Sequence, residues 1–372
     1  MRVALLTDSD VFAGTERHIL DLAVELRALG NEPMLVCPGA GMLAKRGRAE
    51  GLQVVGMEKR RTVDPGVVTR LAKLWRNGDC TVMHAHNGRM ELHAALARTM
   101  TRRGALVATQ HFLNPARTTY RGLRRFAGQA AHGLLSRLVR RYVAISQAVG
   151  DAMLSRRETP STKLRVVLNG IRDPRKQNIA PSLRTREKMG IADHVPLVVC
   201  LARLEPEKGL GILLDAMEIV ARTLPEAICV IAGEGSLANS LRKRLADAST
   251  LCPVKLLGFV DDPLSLLAAA DLCVLPSVAE PFGLSLVEAM ALGVPVVSTR
   301  AGGPLEIVQE GRSGLLSIPN DARSLADNIV SVLGNEVRRA EMGKAARGEF
   351  LARFTARRMA EQMMSVYQEA AM

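Results

Sequence analysis

The sequence predicts an α/β protein made of two Rossmann-like domains that face a central cleft. Three observations lead to this fold class. Short β-branched runs alternate with helical patterns, the runs fall into two sets, and a polar, proline-bearing stretch at 172–193 separates the sets. With 372 residues the chain can form two domains that each bury a core. Ligands of such sheets bind beyond the carboxyl ends of the strands, so the loops after strands are the candidate sites.

The strands are assigned from β-branched apolar runs of five to seven residues. The first set is predicted at 3–8, 34–38, 53–57, 81–86, 105–111, 142–146 and 164–170. The second set is predicted at 197–202, 227–233, 254–259, 271–277, 294–299 and 313–318. Residues 322–372 read as helical throughout. We expect the first domain over 1–172, the second over 173–350, and a C-terminal helix over 351–372.

The positive charge is concentrated in the first half. The chain has 50 Lys and Arg against 37 Asp and Glu, a net charge of +13, and residues 1–170 alone carry 27 and 13. Residues 92–150 contain ten arginines and no acid. Within them, 115–141 predicts a cationic amphipathic helix that binds an anionic membrane surface, with candidate contacts at Arg121, Arg124 and Arg125. A solvated helix face is the alternative interpretation. Nucleic acid is not expected, because aromatic residues make up only 3% of the chain.

Cysteines and the N-terminus bear on localisation. The six cysteines are scattered and form no C-x-x-C pair, so neither a disulfide framework nor a zinc site is expected. The first apolar run is five residues long, which indicates a strand rather than a signal peptide. No run approaches the roughly 18 apolar residues of a membrane span. We expect a cytoplasmic protein that is peripheral at the inner face of the cell membrane.

The strongest chemical signal lies at 276–291, PSVAEPFGLSLVEAMA. Glu280 falls in a loop and Glu288 early in the following helix. The amides around Gly283 form a helix N-terminus, which suits phosphate, while carboxylates accept hydrogen bonds from sugar hydroxyls. The alternative is that both acids only favour the positive end of the helix dipole.

A second candidate is the loop 202–209, ARLEPEKG, after the first strand of the second set. Arg203 offers a planar fork for phosphate oxygens and Lys208 a mobile point charge. Both would stabilise a departing diphosphate more strongly than its ground state. The alternative is pairing of these cations with Glu205 and Glu207 on an exposed loop.

Two glycine loops, 39–44 and 233–238, fit the dinucleotide pattern G-x-G-x-x-A. The first follows a second strand, and the strand after the other loop ends without an acid. A glycine turn that lets strand and helix pack closely explains each loop equally well.

The segment 276–291 resembles the glutamate-pair motif of retaining glycosyltransferases of family 4, which have the GT-B fold. Further similar segments are the arginine–lysine loop, a later helix start, an interdomain turn and an N-terminal glycine loop, at 202–209, 302–308, 167–171 and 13–18. In this family the C-terminal helix packs back on the first domain. The family often has two adjacent glycines where this chain has Ala13 and Gly14.

The resemblance implies roles for individual residues. Glu288 would bind the nucleotide ribose, Glu280 the transferred sugar, and His111 a sugar hydroxyl. The catalytic set would be His111, Arg203, Lys208 and Glu280. The donor-binding set would be Gly14, Gly233, Gly258, Phe259, Val260, Phe282, Gly283, Leu284 and Glu288.

The expected function follows from this resemblance. The chain would move a sugar from a UDP- or GDP-sugar to a glycan or lipid-linked acceptor at the cytoplasmic membrane face, in cell-surface polysaccharide or glycolipid synthesis. No cofactor is expected, because the nucleotide sugar is a substrate. Another GT-B enzyme, such as a nucleotide-sugar epimerase, and a transferase with a soluble small-molecule acceptor remain alternatives.

Further polar residues lie at the ends of predicted strands. We expect His84 and His86 on opposite faces of their strand, with one in the core and His86 a candidate for acceptor binding. Asp8 and Asp10 imitate a D-x-D metal pair, but they end the first strand and predict a helix-capping turn. No metal site is expected.

Overall fold

The computed structural model describes residues 1–58, 63–113, 133, 136–177, 179, 182–247 and 254–372. The chain divides into two compact units. The first unit comprises Met1–Arg172 and Ala356–Met372, and the second comprises Asp173–Thr355. Each unit is built on one parallel sheet, of seven strands in the first and six in the second, so the predicted α/β class is confirmed.

The first unit alternates strands and helices from its N-terminus. Its elements are β1 (Arg2–Leu6), α1 (Gly14–Ala28), β2 (Glu32–Cys37), α2 (Met42–Ala49), β3 (Gln53–Gly56), α3 (Pro65–Arg76), β4 (Val82–Ala85), α4 (Gly88–Thr101), β5 (Ala105–Gln110), β6 (Arg141–Ala144), α5 (Gln147–Ser155) and β7 (Leu164–Val166). The strand order is β3-β2-β1-β4-β5-β6-β7. The order reverses between β1 and β4, which is where open parallel sheets bind ligands.

The second unit repeats this plan. Its elements are α6 (Ser182–Met189), β8 (Leu197–Leu201), α7 (Leu210–Val220), β9 (Ile228–Ala232), α8 (Ala238–Asp247), β10 (Val254–Gly258), α9 (Pro263–Ala268), β11 (Leu272–Leu275), α10 (Leu284–Leu292), β12 (Val296–Thr299), α11 (Pro304–Ile307), β13 (Gly314–Ser317), α12 (Ala322–Leu333) and α13 (Glu336–Arg353). The order β10-β9-β8-β11-β12-β13 reverses between β8 and β11.

Burial explains why the strands could be recognised as nearly continuous apolar runs. In a parallel sheet covered by helices on both faces, every strand position faces a packed layer. In β8 four of five residues are fully buried, and in β11 all four are buried. The second core is formed by β8, β9 and β11 against α7 and α12.

The last helix, Ala356–Ala371, belongs to the first unit, and we call it the C-terminal helix. Met359, Met363, Val366 and Tyr367 are buried in one cluster with Ile19 and other side chains of α1 and of the sheet. The amide of its first residue, Ala356, donates a hydrogen bond to the Ile171 carbonyl at 2.8 Å. The helix therefore supplies part of the first unit's core.

The chain crosses between the units at two places, after Arg172 and after Thr355. Residues 172–193, the polar stretch that separates the two predicted sets of strands, contain the helix α6 of the second unit. The return to the first unit begins at 356 rather than at the predicted 351, because α13 continues to Arg353 and is buried in the second unit through Phe350.

Each side of the first crossing is fixed by an ion pair within its own unit. Arg172 Nε donates to Asp21 Oδ1 at 2.8 Å, and its Nη1 donates to Glu50 Oε1 at 2.7 Å. The Asp173 carboxylate accepts hydrogen bonds from both Nη atoms of Arg347, at 2.8 and 2.7 Å. Arg172 is thus anchored in the first unit, and the next residue, Asp173, is anchored in the second.

No helix among the described residues is long and apolar enough to cross a membrane.

Candidate active site

The candidate site of the second unit lies at the carboxyl ends of β8 and β11. These strands are neighbours in the sheet, so the loop 202–209 that follows β8 lies beside the loop 276–283 that follows β11. The first loop carries Arg203 and Lys208, and the second carries Glu280. The fold thus brings together residues that are more than 70 positions apart in sequence.

Lys208 and Glu280 form a buried ion pair. Lys208 Nζ donates to Glu280 Oε2 at 2.6 Å, and the two side chains are 12% and 7% exposed. The Ser277 hydroxyl donates to the same carboxylate oxygen at 2.9 Å. Pairing of Lys208 with Glu205 or Glu207, the alternative raised from sequence, is wrong.

Arg203 behaves differently from Lys208. Its Nη2 donates to Glu207 Oε1 at 2.7 Å, with side chains 59% and 38% exposed. Here the pairing alternative is confirmed. Because surface ion pairs contribute little stability, this guanidinium can exchange Glu207 for another anion at low cost. Glu205 is held elsewhere, since the Ser236 amide and hydroxyl donate to it at 3.1 and 2.6 Å.

The backbone around Glu280 is fixed on both sides. The Gly303 amide donates to the Glu280 carbonyl at 2.9 Å, and the Thr299 hydroxyl donates to the Ser277 carbonyl. These bonds tie the loop 276–283 to β12 and to the turn before α11. The carboxylate of Glu280 is therefore presented from a rigid loop.

The helix α10 begins immediately after this loop, with Gly283 as its N-cap and Leu284 as its first residue. No side chain caps the N-terminus of α10, because the N-cap residue is glycine. The first amides of the helix are therefore open to a ligand. Glu288 is buried, at 8% exposure, on the fifth residue of α10. The ring of Phe282 is buried against Phe354, with centroids 6.2 Å apart, which fixes the residue before the helix.

The remaining predicted donor residues lie near the ends of β9 and β10. The Gly233 amide donates to the Gly258 carbonyl at 2.8 Å, which joins the two strand ends. Phe259 is 68% exposed and Val260 is half-buried. An exposed aromatic ring at the carboxyl edge of a sheet offers a face on which a planar base can stack.

Gly233 also has a packing role. Its φ is +144°, and a Cβ there would lie 1.9 Å from the Ala202 carbonyl oxygen. Only glycine fits this close approach to the loop after β8. The geometry gives the close-packing explanation of the 233–238 loop direct support.

In the first unit, Gly14 is the first residue of α1, and Ala13 is the N-cap. The Ala13 amide donates to Glu16 Oε2 at 3.1 Å. The prediction that Asp8 and Asp10 form a helix-capping turn is wrong, because α1 starts later. Asp8 instead forms an ion pair with Arg89 Nε of α4, at 2.9 Å.

Four buried histidines gather beside the switch point of the first unit. His84 and His86 come from β4 and the residue after it, His111 follows β5, and His18 lies in α1. Ring centroids of His84 and His86 are 4.0 Å apart, so the expectation of opposite faces is wrong. Residues two apart on a strand share a face, because side chains alternate.

The contacts within this cluster differ from ring to ring. His86 Nδ1 and His111 Nε2 are 3.2 Å apart and share a hydrogen bond. His84 is bonded at both nitrogens, to Tyr367 Oη at 2.8 Å and to Thr109 Oγ1 at 2.6 Å. His18 meets His111 and His86 edge-on, with centroids 5.0 and 5.3 Å apart.

Burial keeps the cluster neutral. It lowers the pKa of His18 to about 4, with the nearby Asn169 side chain opposing the shift. Burial also lowers the pKa values of His84, His86 and His111 well below the usual histidine range, and the neighbouring histidines add to each shift. All four rings are therefore neutral at pH 7, and each keeps one N–H donor and one acceptor nitrogen.

Sequence reasoning missed His18 and Ser277. His18 lies one turn after Gly14, and residues four apart share a helix face, which was the available signal. Ser277 lies three residues before Glu280, but nothing in the sequence distinguishes it from other loop serines. Arg121, Arg124 and Arg125 lie outside the described residues.

Two family descriptions match most of the chain. Residues 12–175 match "Glycosyltransferase Family 4", and residues 182–349 match "Glycosyl transferases group 1". The chain belongs to glycosyltransferase family 4. The resemblance stated from the sequence motifs is therefore confirmed.

Two of the similar proteins are named phosphatidylinositol mannosyltransferases. A Mycobacterium leprae protein named phosphatidyl-myo-inositol mannosyltransferase is 29% identical over 388 residues, covering 100% of this chain and 97% of the relative. A Corynebacterium glutamicum protein is 34% identical over 193 residues, half of each chain. It is named GDP-mannose-dependent monoacylated alpha-(1-6)-phosphatidylinositol monomannoside mannosyltransferase.

A solved structure shares the fold. Anabaena HepE, solved in complex with UDP-glucose, superposes with a TM-score of 0.83 and 24% identity, covering 98% of each chain. The family 4 chain thus has the GT-B-like fold expected from its sequence.

Proposed function

We propose that this family 4 enzyme transfers a hexosyl group, with retention of configuration, from a UDP- or GDP-sugar to a lipid-linked or glycan acceptor at the cytoplasmic membrane face. The observation that carries the proposal is the buried Lys208–Glu280 pair beside the open N-terminus of α10. A fixed cation, a fixed carboxylate and free amides at one sheet edge match the parts of a nucleotide sugar.

The second unit would bind the donor. The α10 amides and Lys208 would hold the diphosphate, and Glu288 would accept hydrogen bonds from the ribose hydroxyls. Phe259 and Val260, next to Gly258, would border the base. Phe282, Gly283 and Leu284 would offer backbone amides, and Gly233 would keep the loop after β8 close.

Cleavage of the glycosidic bond moves negative charge onto the departing diphosphate. Lys208 and Arg203 would stabilise that charge more strongly in the transition state than in the bound donor, which lowers the barrier. Glu280 would hold the sugar by a hydroxyl and stabilise the positive charge that develops on its ring. Lys208 already donates a hydrogen bond to Glu280. When the donor binds, the ammonium group would therefore donate to the carboxylate and to a phosphate oxygen at the same time.

In the first unit, Gly14 and His111 are proposed contacts to the diphosphate and to a sugar hydroxyl. A neutral His111 can donate from one nitrogen and accept at the other. The leaving phosphate can take the acceptor proton, so no general base is needed in the first unit. His86 lies against His111 and is 1% exposed, so its proposed role in acceptor binding would be indirect.

The lipid acceptor is supported by the relatives' names and by the arginine-rich composition of 92–150. If Arg121, Arg124 and Arg125 contact lipid, the protein should cosediment with phosphatidylglycerol vesicles and not with phosphatidylcholine vesicles. Each engaged arginine contributes about 1 kcal/mol, and salt should weaken binding. Replacing the three arginines with serine should abolish cosedimentation and leave donor hydrolysis unchanged. Equal binding to both vesicle types would contradict this part of the proposal.

The activity is tested with a panel of UDP- and GDP-sugars, with release of nucleoside diphosphate measured with and without membrane extract. Release that requires the extract supports a lipid acceptor, and release with soluble sugars alone supports a soluble acceptor. Conversion of the donor to its epimer without diphosphate release would instead establish a nucleotide-sugar epimerase.

Arg203→Ala gives the cleanest test of the site, because its pair with Glu207 is exposed. We expect kcat/KM to fall about 30- to 150-fold, equivalent to about 2–3 kcal/mol. Arg323→Ala, which removes another exposed i,i+4 pair in the same unit, should have no effect. Glu288→Ala should raise the donor KM, and Glu280→Gln should lower kcat. The opposite pattern would exchange the two roles.

A further inference from the structure

His86 and His111 are joined by a hydrogen bond between two ring nitrogens. His86 Nδ1 and His111 Nε2 lie 3.2 Å apart. Both side chains are buried, at 1% and 6% exposure, and burial lowers both pKa values well below the usual histidine range. Each neutral imidazole has a single N–H, so one ring donates this bond and the other accepts it. The pair therefore has two tautomeric arrangements to choose from.

The second nitrogen of His86 distinguishes the two arrangements. This nitrogen, Nε2, is buried and has no hydrogen-bond partner among the described residues. If His111 donated the shared bond, His86 would carry its own proton on Nε2, where no described group accepts it. If His86 donates from Nδ1, Nε2 is an unprotonated nitrogen instead. Among buried backbone groups orphaned N–H donors are rarer than under-satisfied acceptors, so donation by His86 is the less costly arrangement.

The proton on His86 Nδ1 fixes the position of the proton on His111. Because His111 Nε2 accepts the shared bond, the single proton of its ring is on Nδ1. Nδ1 is also the ring nitrogen that is left to face a substrate. As N–H it can only donate, whereas in the opposite tautomer it could only accept. His111 is therefore prepared to meet an oxygen atom as a hydrogen-bond donor.

His86 is held in place by its neighbour His84. The centroids of the two rings are 4.0 Å apart. The nitrogens of His84 are bonded to Tyr367 Oη at 2.8 Å and to Thr109 Oγ1 at 2.6 Å. Tyr367 belongs to the buried face of the C-terminal helix and Thr109 to β5, so His84 cannot rotate without breaking one of these bonds. Packing and hydrogen bonds of this kind are what hold a functional side chain in one geometry.

We propose that His86 is a positioning residue: it donates from Nδ1 to His111 and so presents the Nδ1–H of His111 to a hydroxyl oxygen of the transferred sugar. The proposal rests on the transfer reaction proposed above, since only that reaction makes His111 a contact to the sugar. His86 acts through His111 and touches no substrate itself.

The first test compares two replacements of His86. The amide nitrogen of asparagine lies near the position of Nδ1 in histidine, so His86→Asn keeps a donor for His111, whereas His86→Leu removes it. We expect His86→Leu to lower kcat at least about tenfold with little change in the donor KM, and His86→Asn to recover most of this loss. The matched control is His93→Leu, which replaces a buried histidine bonded to backbone outside the cluster and should change kcat by less than about twofold.

A double variant tests whether His86 acts through His111. In a chain that already carries His111→Ala, adding His86→Leu should lower kcat by less than about twofold, because the group that it positions is gone. An equal loss with and without His111, or no recovery in a folded His86→Asn variant, would overturn the proposal.

The tautomer is measured on the unmodified full chain by ¹⁵N NMR with labelled histidine rings, so this test does not depend on the folding of a variant. The nitrogen pair is identified by its N–N coupling across the hydrogen bond, and δ and ε nitrogens differ in their couplings to the carbon-bound ring protons. We expect the protonated member of the pair to be a δ nitrogen and the unprotonated member to be an ε nitrogen.

His93 provides an internal reference for this measurement. Its Nδ1 lies 2.6 Å from the Arg89 carbonyl, which can only accept, and its Nε2 accepts from the Asp64 amide at 2.9 Å. It therefore has the tautomer that we expect for His111. A protonated ε nitrogen in the His86–His111 pair would overturn the proposal. The expected tautomer in a protein that transfers no sugar from any donor would contradict the proposed function instead, so the two failures are distinguishable.

Discussion

The Lys208–Glu280 pair should stabilise the second unit as well as serve its chemistry. Both side chains are nearly buried and the two charged atoms are 2.6 Å apart. Removing one partner of a buried pair leaves an uncompensated charge and costs about 3–5 kcal/mol. Because Ser277 still donates to Glu280 in Lys208→Met, we expect the lower end, about 3 kcal/mol.

The pair is best measured as a double-mutant cycle of Lys208→Met, Glu280→Gln and the double variant. The double variant buries no unpaired charge, so it should be more stable than the sum of the single effects implies. We expect a coupling free energy of at least about 2 kcal/mol. Arg323→Ala, in an exposed pair, should change the free energy of unfolding by less than about 0.5 kcal/mol.

The assay has to report on the second unit. The only tryptophan, Trp75, lies in α3 of the first unit, so its fluorescence follows the wrong part of the chain. Hydrogen exchange of peptides from β8 and β11 during a urea titration reports on the correct unit. Additive effects of the two substitutions, within about 0.5 kcal/mol, would refute the buried-pair reasoning.

Three further predictions concern stability. Hydrogen bonds from Arg347 lower the pKa of Asp173. The ionised Asp173 therefore stabilises the fold above about pH 4, and this stabilisation is lost as the pH falls through the lowered pKa. Asp173→Asn should therefore lower the Tm at pH 7, and the difference from wild type should narrow below pH 4. In Gly303→Ala the new Cβ would lie 2.3 Å from the backbone of Phe282, and thermal denaturation should show a free energy of unfolding about 2 kcal/mol lower. Gly348→Ala, in open space on a helix, should raise the free energy of unfolding by about 0.5–1 kcal/mol. Tyr367→Phe removes the buried hydrogen bond to His84. Unfolding followed by tryptophan fluorescence should show that the free energy of unfolding falls by about 1–2 kcal/mol.

The fold could be predicted from the sequence because the central strands are buried on both faces and are therefore continuous apolar runs, as in β8 and β11. All thirteen predicted strands are present, and the reversal of strand order explains why the 202–209 and 276–283 loops meet. The partner of Lys208 could not be predicted, since Glu280 is 72 residues away and Glu205 and Glu207 are neighbours in sequence.

The histidines show a second limit of the sequence. His84 and His86 were placed on opposite faces by a misapplied alternation, and the strand geometry corrects this. His18 belongs to a helix whose buried face also contains Glu16 and Asp21, so its own burial could not be inferred from apolar periodicity. Only the packing of α1 against the sheet brings it to His86 and His111.

The discontinuous first unit has a consequence for synthesis on the ribosome. The C-terminal helix completes the core of the first unit, yet it is translated only after all of Asp173–Thr355. At 5–20 residues per second this interval lasts roughly 10 to 40 s. During that time the apolar groove that receives Met359, Met363 and Tyr367 has no occupant. The second unit, whose segment is contiguous, can therefore finish folding before the unit that precedes it in the chain, and the apolar groove stays open until translation reaches the last helix.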